Sequence, residues 1–178
     1  KMKKLNWMIS LVALVLSSAV VADAKEMIAE VSPYLQSGNL AQAYAVFERY
    51  AEKGSAAGQY NVAVMNEHGQ GVKQNLEKAA EWYVKAAEQG VAQAQNNLAN
   101  LYLSGKGVEQ SFHLAVKWWL KAAEQGKPEA QNHLGVAYRD GKGVRQNKAT
   151  AKEWFGKACD NGSQEGCDGY RELNEQGQ

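Results

Sequence analysis

Gly54, Gly90, Gly126 and Gly162 stand 36 residues apart, and the same step separates Trp82, Trp118 and Trp154, Gln59, Gln95 and Gln131, and Val72, Val108 and Val144. The glycine pairs Gly69/Gly71, Gly105/Gly107 and Gly141/Gly143 keep it too. A period of roughly 20 to 50 residues is the sequence mark of a solenoid, in which one supersecondary unit cannot bury its apolar face alone and stacks on its neighbours. No other feature restricts the fold so strongly.

Within each unit the apolar residues fall on helical spacing. Ala79, Trp82, Tyr83, Ala86 and Ala87, then Ala115, Trp118, Trp119, Ala122 and Ala123, then Ala151, Trp154, Phe155, Ala158 and Cys159 lie at i, i+3, i+4, i+7 and i+8, one face of a helix. The aromatics supply bulk and the alanines permit close backbone approach, so these columns read as packing residues rather than as an aromatic cage. Gly90 and Gly126 suit the left-handed position just past a helix C-terminus. Asn75, Ser111 and Asn147 stand at helix starts, where each side chain can accept from a free backbone N–H, and Pro128 fits a first turn. The Gly-Xaa-Gly-Val loops have neither a preceding strand nor a third glycine, which argues against a phosphate cradle.

Ahead of the repeats, Lys1, Lys3 and Lys4 precede an apolar run from Trp7 to Ala22 that ends in Ala22-Asp23-Ala24. That is the layout of a secretory signal peptide, cleaved after Ala22 or Ala24, and the run is shorter than the ~20 residues of a membrane span. With no cysteine nearby to carry lipid, a soluble protein of the periplasm or medium is expected, with no stable membrane anchor after cleavage. The chain carries 20 basic against 19 acidic residues, which removes the electrostatic reason to expect nucleic acid as a ligand. In an oxidising compartment its two cysteines read as a disulfide more readily than as a redox or metal site.

The run Ala94-Gln95-Asn96-Asn97-Leu98-Ala99-Asn100-Leu101-Tyr102, followed by Gly105-Lys106-Gly107-Val108, by Ala115 to Trp119, and by Lys121-Ala122-Ala123-Glu124-Gln125-Gly126, resembles the Sel1-like repeat, a relative of the tetratricopeptide repeat. Resemblance implies an all-α, right-handed α-solenoid or superhelix of helix-turn-helix repeats, with first helices lining a concave face. The expected organisation is a signal peptide over residues 1–24, a capping helix pair over 25–54, three repeats over 55–162 and a C-terminal capping helix over 163–178. Asn66 departs from the column of Tyr102 and Tyr138, and Gly156 from that of Val84 and Leu120; the first makes the N-terminal unit a less regular groove wall. Cys159 and Cys167 occupy adjacent helix columns across Gly162, and their eight-residue separation resembles that in disulfide-rich exported members of the family, so they are expected to pair.

Chemistry of the catalytic kind is hard to find. His68, His113 and His133 occupy different columns, no His-Glu-Xaa-Xaa-His or Gly-Xaa-Ser-Xaa-Gly pattern occurs, and no serine precedes a lysine by three residues. Neither catalytic residues, nor a metal site, nor a cofactor are expected. On the helical wheel of the first helices, a stripe comprising Tyr60, Asn61, Val64, Asn96, Asn97, Asn100, Asn132, His133 and Val136 turns away from the core, and its amides offer donors and acceptors to an extended chain. The expected function is non-enzymatic: a chain, monomeric when unbound, that holds a protein partner on this stripe. The resemblance implies an adaptor, or an immunity protein against a secreted toxin such as a type VI phospholipase effector. It also leaves open a weak β-lactam-binding hydrolase, and a structural envelope spacer is a further alternative.

Overall fold

The computed structural model describes residues 18–177, which form nine α-helices and no strand. They fall into two compact units divided between Gln89 and Gly90.

The first unit holds α1 (Ser18–Ser37), α2 (Leu40–Glu52), α3 (Ala56–His68) and α4 (Leu76–Glu88). Met27, Val31 and Leu35 make an i, i+4, i+8 stripe on α1 and are buried with Ala43, Phe47, Tyr50 and Ala51 of α2 and Val62 and Met65 of α3. α1 starts at Ser18 and runs on through Ala22-Asp23-Ala24, and its described core residues are Met27, Val31 and Leu35. The remainder of the expected signal peptide, residues 1–17, lies outside the described residues. Among those residues no helix is long and apolar enough to cross a membrane.

Asn66, the departure from the tyrosine column, is only 1% exposed. Its amide donates to the Tyr44 hydroxyl of α2 at 3.2 Å and to the carbonyl of Val62 at 2.8 Å. The same hydroxyl donates to Glu48 at 2.8 Å and accepts from Lys78 Nζ at 3.0 Å, and Lys78 also pairs with Glu48 at 2.9 Å. These two partners hold the Lys78 ammonium above its ordinary pKa. A tyrosine at position 66 would meet this polar cluster, so the cap accounts for the smaller amide. A second pair, Arg49 with Glu30, ties α2 to α1 at the surface.

The second unit holds α5 (Ala92–Ser104), α6 (Phe112–Glu124), α7 (Pro128–Asp140), α8 (Lys148–Asp160) and α9 (Gln164–Glu175). Its core is built from Ala94, Leu98 and Leu101, from Ala115, Trp119, Ala122 and Ala123, from Ala130, Leu134 and Ala137, and from Ala151, Phe155 and Leu173. The expected caps form: Asn75, Ser111 and Asn147 each accept from the N–H three residues on, at 2.8, 3.2 and 3.1 Å. Pro128 opens α7.

Three polar features repeat with the helices. Gln74, Gln110 and Gln146 each reach back seven residues to the carbonyl of Glu67, Leu103 or Arg139 at 2.7, 2.8 and 2.7 Å, fastening the loop between the two helices of a repeat. In the second unit Gln125 donates to the Gly90 carbonyl at 3.0 Å and to Gln95 Oε1 at 2.9 Å, while Asn161 donates to Gln131 Oε1 at 2.9 Å and Gln131 to the Ala123 carbonyl at 3.0 Å. Gln89 makes the equivalent pair of bonds to Gly54 and Gln59 in the first. The buried side chains of Gln59, Gln95 and Gln131 are thus bonded to other amides and to helix ends, which fixes the register of successive helices. Lys85, Lys121 and Lys157 lie over the rings of Trp82, Trp118 and Trp154 at 3.9, 4.5 and 4.2 Å, so each indole carries a cation on its face.

Candidate partner-binding face

The stripe of first-helix residues does not emerge as one exposed surface. In the first unit Tyr60, Asn61 and Val64 are 5%, 4% and 2% exposed. Tyr60 packs against the Tyr83 ring with centroids 6.0 Å apart, and Asn61 turns its amide back to the carbonyl of Ala57 at 2.8 Å. In the second unit Asn96 is buried as well, with its Oδ1 unpartnered. These four are corrected from exposed contacts to interior residues. A helical wheel assigns direction relative to one helix axis, whereas burial depends on what the flanking helices bring alongside.

Asn97, Asn100, Asn132, His133 and Val136 are half-buried. Asn97 accepts from Gln93 at 3.4 Å. Asn100 has a positioning role, since its Oδ1 accepts the indole N–H of Trp119 at 3.2 Å. The Trp119 ring is then covered on one face by His133, stacked with centroids 4.6 Å apart and planes 2° from parallel. Burial holds the His133 imidazole below its ordinary pKa, against a weaker upward pull from Glu129. Nδ1 of His133 is buried without a hydrogen-bond partner.

His133 and Val136 join Leu103, Phe112, Trp119, Ala137 and Lys142 around a cavity of about 170 Å³. Sequence reasoning missed most of this wall. Trp119 had the signature of a core residue and is one, at 4% exposed, yet its edge also lines the cavity. Phe112 carried a signal that could have been used: a bulky aromatic at the first position of α6, off the packing face, and 40% exposed. Beside this cavity, across Lys142-Gly143 and Phe112-His113, lies a larger open depression of about 620 Å³ lined by His113, Tyr138, Gly143, Val144, Arg145, Gln146 and Asn147. Among the described residues no three His, Cys, Asp or Glu side chains gather as metal ligands.

Cys159 and Cys167 are joined in a disulfide, with Cα atoms 4.5 Å apart, linking α8 to α9. Such bonds persist in oxidising compartments, which points to an extracytoplasmic location.

The Sel1 repeat model matches residues 56–91, 92–127 and 128–163. Among solved structures the chain is similar to a protective antigen of uropathogenic Escherichia coli that displays an SLR fold, at 33% identity over 92% of this chain and 37% of that one, with a TM-score of 0.80. It is similar to a Sel1 repeat protein of Oxalobacter formigenes, at 31% identity over 83% of this chain and 60% of the other, with a TM-score of 0.77. Helicobacter pylori cysteine rich protein B matches at 27% identity over 73% of this chain and 93% of its own, with a TM-score of 0.58. The chain therefore spans less than two thirds of the length of the first two. No curated protein matches it. Sel1 repeat proteins are generally non-enzymatic adaptors that mediate protein–protein interaction. With three consecutive repeats matched over most of its length, and with the all-α helical repeat solenoid that its structural relatives share, this chain belongs to the Sel1 repeat family.

Proposed function

We propose that this chain is a binding protein of the bacterial periplasm that holds a protein partner on the α5–α7 face of its second unit, with Asn97, Asn100, His133 and Val136 around the contact. The observation that supports this reading is the cavity walled by Trp119, His133, Val136 and Phe112, an apolar recess next to half-buried amides on a repeat scaffold. Recesses of this kind accept an anchoring side chain while the surrounding amides meet backbone, and energy concentrates at the anchor. Adaptor and immunity roles are two uses of the same surface. An immunity protein would silence the activity of the toxin it captures, and an adaptor would leave its partner's activity intact.

Site-specific photocrosslinking tests the reading. A crosslinking side chain at Val136 is expected to give one discrete conjugate that excess unlabelled protein competes away, and the same group at Lys117, exposed on α6, is expected to give none. A conjugate from Lys117 with none from Val136 would place the interface elsewhere.

A further inference from the structure

The chemistry of the recess narrows the partner. Its walls are Leu103, Phe112, Trp119, Val136 and Ala137, with the flat face of His133 lying on Trp119. Its volume, about 170 Å³, compares with the ~150 Å³ of an apolar cavity that takes one benzene ring. One aromatic or branched aliphatic side chain fills it, and two do not.

The Lys and Arg side chains that line the recess and the adjoining depression stand at its mouth. Lys142 stands on the rim, and Arg145 lines the adjoining depression with His113 and Tyr138. Neither cation forms an ion pair among the described residues. Asp140, the carboxylate that feels the Lys142 charge, is already engaged by Arg139 at 2.8 Å. The loop bearing both cations is fixed: Gln146 anchors it to the Arg139 carbonyl, and Gly143 sits so close to α6 that an added Cβ would lie 2.3 Å from the carbonyl oxygen of Phe112. The backbone that carries both cations is therefore held beside the recess, and with Asp140 paired to Arg139 the two side chains remain available to a partner's carboxylates, a pattern that selects partners by charge complementarity.

Resting on the proposed binding role of this face, we infer that the recess receives a single bulky apolar side chain, Phe or Leu, from a linear acidic segment of a partner protein, whose carboxylates pair with Lys142 and Arg145. The segment's apolar residue enters between Phe112 and the Trp119–His133 pair, and its flanking acids lie over the Gly141–Gly143 loop.

The experiment uses the full chain and synthetic decapeptides with a central Phe flanked by Asp and Glu, a matching peptide with Ala in place of Phe, and one with Lys in place of the acids. Binding is read at millimolar peptide from the indole N–H signal of Trp119 in a nitrogen–proton correlation spectrum, assigned by its loss in Trp119→Phe. The acidic Phe peptide is expected to shift that signal saturably. The Ala peptide should bind at least about tenfold more weakly, from the lost burial of one side chain. Lys142→Glu with Arg145→Glu should cost the acidic peptide about three- to tenfold and improve the basic one, as expected for two rim ion pairs. Equal response to all three peptides, no response to any, or preference for the basic peptide overturns the inference. So does concentration-dependent self-association of the wild-type chain that Lys142→Glu abolishes, because the occupant would then be a second copy. A competed conjugate from Val136 combined with a failed peptide titration would leave the binding role standing and remove only the acidic segment. Failure of both removes the role as well.

Discussion

Trp119 illustrates how one side chain serves two masters: its column marks it for the core, and its hydrogen bond to Asn100 and stack on His133 turn it into the wall of a recess. His133 is informative because it is half-buried and its Nδ1 has no partner. Burial lowers its folded pKa below the unfolded value of about 6.5, so the unfolded chain takes up a proton first as pH falls. The contribution to stability from this residue is full above that value and declines as pH drops below it, levelling once the folded pKa is passed. Phe at position 133 keeps the flat stack and removes the titration. Urea midpoints measured on both sides of the imidazole range should therefore fall less on acidification in His133→Phe than in the wild-type protein. Identical slopes would show that His133 is solvated in the folded state.

At the scale of elements, the loops between the helices of a repeat are as specific as the helices. Gly143 has φ +76° and a Cβ there would strike the Phe112 carbonyl, whereas Gly126, with φ +81°, has open space around it. Alanine at 126 should cost roughly 1 to 2 kcal/mol, the penalty of the left-handed conformation alone. Alanine at 143 should exceed that by about 1 kcal/mol or more, because backbone rather than a flexible side chain must give way. Chemical denaturation of the two variants measures the difference directly, and equal losses would mean the loop can lift off α6. The glycine spacing that superficially suggests a phosphate loop is thus explained by close approach of loop to helix. The glutamine hooks at 74, 110 and 146 share the repeat step, and their function becomes visible only when the carbonyls they cap are in place.

At the scale of the whole fold, α9 packs mainly on α8 with a smaller contact to α7, so among the helices of the second unit it is an element expected to open at low cost. The Cys159–Cys167 bond sits at that point, closing a short loop between α8 and α9. Replacing both cysteines by alanine should lower stability by about 2.5 kcal/mol on the chain-entropy estimate, with hydrogen exchange rising first in α9. Helical content by circular dichroism and crosslinking from Val136 should persist, because the recess is made by α5 to α7 and the loop after it. Loss of the Val136 conjugate in this variant would mean that the end of the unit supports the recess.

The sequence by itself determined the repeat, the starts of the second helices with their caps, and the buried small and aromatic columns. Each of these signals is local and recurs in phase: a cap needs a side chain three residues from an N–H, and a helical face needs only its own spacing. Tertiary structure alone decided which polar residues remained available. Tyr60, Asn61, Val64 and Asn96 shared the exposed-looking stripe and are interior, while Trp119 and Phe112, read as packing or passed over, border the recess. The reason is that exposure and cavity shape are properties of several helices at once. A wheel drawn on one helix carries no record of the indole, imidazole or loop cation that its neighbours set beside it.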